Sequence, residues 1–340
     1  MPHVVVAGKL HDAGLSLLDA APGATYDYIP SAEPTEYLPY LPQAEGLVLR
    51  TQPLTAANVG SAPSLKIVSR HGVGYDAVDV DALDRRGIPL AVVGDINSRT
   101  VAEHTMMLIL ALSRRMAEGM VAVKRGDWAY RNAFAPREID GKTLLIVGHG
   151  RIGKRVGALA SAFGMEVLVF DPAIESAGPG FELVSDLGTG LAQCDVLTVH
   201  VPGGGEALIG AAELARMKPE AVVVNTARGG IIDEAALLAA LKAGRLAGAA
   251  LDVLAMEPPE VDNPLLDLPN VIVTPHCAGL TMECAQRMAV ASVQNVLDHF
   301  EGRLSPHLVV NLRSGAPVGT AQSATVPGGS TEGATTNVNP

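Results

Sequence analysis

Short apolar runs alternate with stretches of helical spacing along most of the chain. Residues 4–7, 46–50, 65–69 and 90–93 are largely apolar runs of valine, leucine, isoleucine and alanine and predict strands, and Tyr26-Asp27-Tyr28-Ile29 predicts another short strand. Residues 11–20 and 79–86 carry apolar positions three and four apart and predict helices, the second stopped by Gly87. A long helix is predicted over 100–125, with Ser98 as its N-cap. Its apolar positions, among them Val101, Met106, Leu108, Ile109 and Leu112, exceed one helical face, which predicts burial between domains or against a second subunit. The alternation then resumes. Strands are predicted at 143–147, 167–170, 196–201, 221–225, 249–253 and 271–274, and helices at 154–163, 211–217, 233–243 and 282–301. The last helix would return the chain to its first unit.

One stretch within this pattern carries chemistry. The strand at 143–147 runs directly into Gly148-His149-Gly150-Arg151-Ile152-Gly153, which opens a helix, and the following strand ends at Asp171, 18 residues after Gly153. Strand, glycine turn, helix, strand and acid is the dinucleotide-binding arrangement. Gly148 permits the tight turn, Gly150 lets backbone approach a pyrophosphate, and Gly153 lets helix and strand pack closely. The helix N-terminus offers free N–H groups to the phosphates. Asp171 would accept from the adenine-ribose hydroxyls and repel a 2′-phosphate, and Asp171-Pro172-Ala173-Ile174 offers no arginine to receive one, which favours NAD over NADP. The fold class expected is α/β with two doubly wound parallel sheets. A Rossmann NAD-binding domain (98–286) is inserted into a smaller flavodoxin-like substrate domain (1–97 and 287–313).

Composition narrows the classes. A chain of 340 residues has room for two cores. A formal net charge of −11 argues against nucleic acid and anionic membrane as partners, and leaves a small anionic molecule open. Cys194, Cys277 and Cys284 have no metal spacing and suit a reducing compartment, so no metal is expected. Neither a leader nor a membrane-spanning run is evident, and the expected location is the cytoplasm. Residues 314–340 turn to Ser, Thr, Gly, Ala, Pro and Asn, a tail expected to be disordered.

Three segments follow the later strands, at the edge where open α/β sheets bind ligands. Arg228, in Asn225-Thr226-Ala227-Arg228-Gly229-Gly230, could grip a carboxylate or pair with a helix acid such as Glu234. Asp252 and Glu257 flank another strand end and could be catalytic or merely solvated. His276, between Pro275 and Cys277, could be a general acid/base or structural.

HGVGYDAVD, NSRTVAEH, GKTLLIVGHGRIG, NTARGGIIDEAAL, LDVLAMEPP and TPHCAG occur in this order, and over residues 1–312 the chain resembles the D-2-hydroxyacid dehydrogenases, the group of phosphoglycerate dehydrogenase and glyoxylate/hydroxypyruvate reductase. The resemblance implies NAD(H)-linked interconversion of a D-2-hydroxy acid and its 2-oxo acid. It implies that Arg228 holds the substrate carboxylate and carbonyl oxygen, that His276 is the acid/base, and that Glu257 orients its ring and stabilises the imidazolium. Asp252 would stand near the nicotinamide carboxamide, with Thr226 and Ala227 also beside the cofactor. Arg151 and Ile152 would donate to the pyrophosphate, and Gly72, Val73 and Gly74 would receive the substrate carboxylate on their amides. The helix after Ser98 matches the family's homodimer region. Arg50, His71 and, from a neighbouring subunit, Arg131 would add cations for a second anionic group on the substrate. Glyoxylate/hydroxypyruvate reductase is the alternative activity, and an NAD-binding corepressor the alternative of another class.

The sequence departs from this family at three places. His149 stands where an apolar residue, often leucine, is usual, and is expected to face solvent. Gly203-Gly204-Gly205-Glu206-Ala207 replaces a threonine-containing stretch beside the cofactor. Cys277 replaces an aliphatic residue and is expected to serve packing.

Overall fold

The computed structural model describes residues 2–312; the tail expected at 314–340 lies outside the described residues. Two fully parallel sheets organise them. The first has strands β1 (His3–Ala7), β2 (Thr25–Ile29), β3 (Gly46–Leu49), β4 (Ile67–Arg70) and β5 (Leu90–Ala91), in the order β2-β1-β3-β4-β5. Helices α1 (Asp12–Ala20), α2 (Ala56–Gly60) and α3 (Val80–Arg85) connect them. The central strands are apolar on both faces because both faces are covered: Val4, Val5, Val6, Leu47 and Leu49 are fully buried.

The second sheet holds β6 (Thr143–Val147), β7 (Glu166–Phe170), β8 (Glu182–Leu183), β9 (Val196–Val199), β10 (Val222–Asn225), β11 (Gly248–Leu251) and β12 (Val271–Val273). Its order is β12-β11-β10-β9-β6-β7-β8, so the winding reverses between β6 and β9. Such a reversal opens a crevice at the carboxyl ends of the strands. α4 (Ser98–Ser113) and α5 (Met116–Lys124) precede this sheet; α6 (Arg151–Ala162), α7 (Leu187–Gln193), α8 (Ala211–Leu214) and α9 (Glu234–Lys242) connect its strands; and α10 (Met282–Phe300) follows it. α10 crosses back to the first sheet, where Ala289, Val293 and Val296 pack with Val4, Val6, Val48 and Ile67.

The helix expected over 100–125 is two helices. The chain breaks at Arg115, which takes a left-handed conformation (φ 48°) before α5 starts. Ser98 is the first residue of α4 rather than its cap; Asn97 occupies the cap position without a side-chain bond. The apolarity of α4 is largely met within the chain: Ala102, Met106, Leu108, Ile109 and Leu112 join the core of the second sheet with Leu144, Ile146 and Val224. Exposed apolar side chains lie further on, with Trp128 at 67 % and Phe134 at 87 % exposure.

Candidate functional site

The glycine turn sits at the reversal point. Gly148 has φ 95°, and a Cβ there would stand 2.6 Å from the His200 carbonyl oxygen. A Cβ on Gly153 would overlap the Gly148 carbonyl, so the helix closes onto the turn only with glycine. Gly150, at the cap position of α6, faces open space. The amides of Arg151 and Ile152 belong to the first turn, which has no intrahelical acceptor for them. An exposed helix N-terminus with room above its glycine suits a pyrophosphate, and the residues present fit NAD.

Asp171 stands at the end of β7 with its carboxylate held by backbone: Oδ2 accepts from the His149 N–H at 2.8 Å and Oδ1 from the Ala173 N–H at 2.9 Å. His149 corrects the expectation of a solvent-facing ring. It is 3 % exposed, with Nε2 2.9 Å from the Ala177 carbonyl. The turn aims the side chain beneath the segment after β7, where Phe181 covers it.

Arg228 leaves the end of β10 and reaches the first sheet. Its Nε donates to Asp76 Oδ2 at 2.9 Å and its Nη1 to the Ala227 carbonyl at 2.7 Å. Asn225 shapes the turn, accepting from the Ala227 N–H at 2.9 Å and donating to the Arg228 carbonyl at 2.8 Å. A Cβ on Gly74 would overlap Nη2 of Arg228, and one on Gly203 would lie 2.8 Å from its stem. Both glycines therefore clear space for this arginine. Among the described residues, the amides of Gly72, Val73 and Gly74 donate to no protein acceptor, which suits them to a carboxylate. Thr226 is buried and its hydroxyl bonds Thr105 on α4 at 2.9 Å.

His276 lies beyond β12, at the same strand ends. Nδ1 donates to Glu257 Oε2 at 2.7 Å, and Glu257 Oε1 accepts from the Leu254 N–H at 3.0 Å. The carboxylate fixes the ring and directs the second nitrogen elsewhere. His276 has φ 49°, uncommon for a residue with a side chain, and its own N–H donates to the Asp252 carbonyl at 2.9 Å. Asp252 is buried. Its carboxylate accepts from Thr274 Oγ1 at 2.5 Å and from the N–H groups of Cys277 (2.9 Å) and Ala278 (2.8 Å), which fastens the loop directly after His276. His104 on α4 joins this group, 3.2 Å from Thr274 Oγ1. His104, Asp252 and Cys277 offer donor atoms within 4.8 Å of one another, although the carboxylate is already engaged. Burial, and then the Asp252 charge, holds the Cys277 thiol above its usual range, so it is protonated at neutral pH.

His71 corrects a second expectation. Its ring is 7 % exposed, and burial, with Arg50 nearby, lowers its pKa to about 4. It is neutral at pH 7 and supplies no cation. Arg50 follows β3, partly exposed and in no ion pair among the described residues; Arg131 is exposed. The sequence reading missed Asp76, His104, Thr274 and Asn225. All four lie inside the motifs named above, and only the fold shows what each side chain meets.

Residues 106–278 match the model of the D-isomer specific 2-hydroxyacid dehydrogenase, NAD binding domain. The chain is 41 % identical over 288 residues to a D-3-phosphoglycerate dehydrogenase of Archaeoglobus fulgidus, covering 83 % of this chain and 54 % of that one. It thus spans about half the length of that relative. A glyoxylate reductase of Thermofilum pendens is 36 % identical over 322 residues, covering 91 % of this chain and 94 % of that one. The crystal structure of the TT0316 protein from Thermus thermophilus superposes with TM-score 0.84 at 33 % identity, covering 89 % of this chain and 98 % of that one.

Proposed function

Because the chain belongs to the D-isomer specific 2-hydroxyacid dehydrogenase family and carries its NAD-binding domain, we propose that it is an NAD-dependent oxidoreductase interconverting a D-2-hydroxy acid and its 2-oxo acid. NAD, when bound at the glycine turn, supplies the hydride acceptor, and NADH the donor. The substrate carboxylate lies on the amides of Gly72, Val73 and Gly74 and against Arg228, which also polarises the carbonyl oxygen. His276 gives that oxygen a proton during reduction and removes the hydroxyl proton in oxidation, with Glu257 stabilising the imidazolium. Asp171 receives the adenine-ribose hydroxyls. Thr226, Ala227 and Asp252 flank the nicotinamide end.

The observation that carries this reading is the convergence at one sheet edge of an arginine bonded to the opposite sheet's loop and a histidine held by a carboxylate. The test is NADH oxidation across glyoxylate, hydroxypyruvate, phosphohydroxypyruvate, sulfopyruvate, pyruvate and branched 2-oxo acids. Turnover on at least one supports the reading. NADH binding without turnover on any overturns it in favour of a regulatory role.

A substrate with a second anionic group, as in phosphoglycerate dehydrogenase, would use Arg50 and a partner's Arg131. The neutrality of His71 favours a second reading, a glyoxylate/hydroxypyruvate reductase without that need. The exposed Trp128 and Phe134 support homodimer formation through the region after α4. The division into 1–97 with 287–313 and 98–286 goes with this reading, as does a cytoplasmic location. Among the described residues no helix is long and apolar enough to cross a membrane.

A further inference from the structure

His149 occupies the position between the first two glycines of the turn, and the mechanism above does not use its side chain. Three contacts define it. Its backbone N–H holds Asp171 Oδ2 at 2.8 Å. Its Nε2 lies 2.9 Å from the carbonyl of Ala177, six residues beyond Asp171. Its ring meets Phe181 edge-on, with centroids 5.5 Å apart. Phe181 in turn covers Gly157 on α6, where an added Cβ would stand 3.1 Å from the Phe181 ring. One residue therefore ties the ribose-facing carboxylate, the segment 172–181 and the helix of the glycine turn together.

The protonation state follows from the geometry. A carbonyl oxygen can only accept, so Nε2 carries the hydrogen. Burial favours the neutral ring, which leaves Nδ1 an acceptor, and that atom is buried with no partner. An unmatched buried nitrogen is a cost that leucine at this position would avoid. What the imidazole supplies in return, and leucine cannot, is the anchored Ala177 carbonyl.

We propose that His149 is a positioning residue for the adenosine end of NAD: its ring clamps the segment 172–181 onto the glycine turn and so sets affinity for the ADP-ribose moiety, without acting on hydride transfer. The inference rests on NAD occupying this turn.

The test compares wild type, His149→Leu and His149→Gln as full-length protein. Gln places an amide N–H near the position of Nε2 and can donate to Ala177. Dissociation constants are measured for NADH and for ADP-ribose, which lacks nicotinamide, and turnover is measured at saturating NADH. The expected result is about tenfold weaker binding of both ligands by His149→Leu, the size of one lost neutral hydrogen bond. kcat and the oxo-acid KM stay unchanged, and His149→Gln recovers most of the affinity. In hydrogen exchange, residues 176–181 lose protection in His149→Leu and retain it in His149→Gln. Wild-type affinity in His149→Leu overturns the proposal, as does weakening confined to NADH, or equal loss in the Gln and Leu variants. Should wild type bind neither ligand, the NAD reading fails before the clamp is reached.

Discussion

Asp76, on the loop after β4, accepts the Nε–H of Arg228 at 2.9 Å and joins the two sheets across the cleft. A carboxylate on Nε leaves the Nη2 edge of the guanidinium for a substrate oxygen, because Nη1 is already bonded to the Ala227 carbonyl. Asp76 is 66 % exposed in its side chain, so solvent screens much of the attraction and its value lies in orientation. Asp76→Asn is expected to raise the oxo-acid KM about three- to tenfold with a smaller change in kcat, the effect of weakening one partly solvated charge-assisted bond. Steady-state kinetics at saturating NADH check this; an unchanged KM counts against the orienting role.

The pair of Glu257 and His276 calls for a different signature. His276→Ala is expected to lower kcat by about 10²–10⁴-fold, the usual contribution of a positioned acid/base, while NADH still binds. Glu257→Gln keeps a hydrogen-bonding group but removes the charge that stabilises the imidazolium, and is expected to reduce kcat by a smaller factor. Near-normal turnover in His276→Ala would remove this residue from the chemistry.

Asp171 tests the cofactor choice. Two backbone amides hold its carboxylate in place, so a 2′-phosphate meets a fixed charge rather than a mobile one. Asp171→Ala is expected to weaken NADH, relieve the repulsion of NADPH and narrow the preference between them by about tenfold or more, the scale of one charge-assisted bond. The ratio of kcat/KM for the two cofactors is the readout.

His71 links the site to stability. Its native pKa is about 4, below the ordinary value of 6.5, so the unfolded chain binds the proton more readily. Stability from this group is complete above about pH 6.5 and is lost as pH falls toward 4. Between about pH 7 and pH 5 the loss is about 2 kcal/mol. Denaturant unfolding at the two pH values should show a smaller difference in His71→Gln than in wild type.

Much of this protein is written locally. Parallel strands buried on both faces need unbroken apolar runs, so the strands could be read from residues such as Val4–Val6 and Leu144–Val147, and the glycine spacing located the turn at 148–153. Arg228, Glu257 and His276 were legible as candidates because they follow strand ends within recognisable motifs. The helix break at Arg115 was not, since the left-handed backbone there falls on an arginine and not on a glycine that would have marked it. Nor was the inward turn of His149 and His71: a polar ring is buried only where the fold brings surroundings that enclose it, and in His149 the acceptor comes from Ala177, 28 residues away. The bond between Asp76 and Arg228 spans 152 residues, and the fastening of residues 277 and 278 by Asp252 spans 25 or more. Short-range pattern determines strands, helices and turns because it acts through backbone geometry and apolar burial within a few residues. Protonation states, ring orientations and the pairing of charges depend on distances between remote segments, and only the tertiary structure decides those.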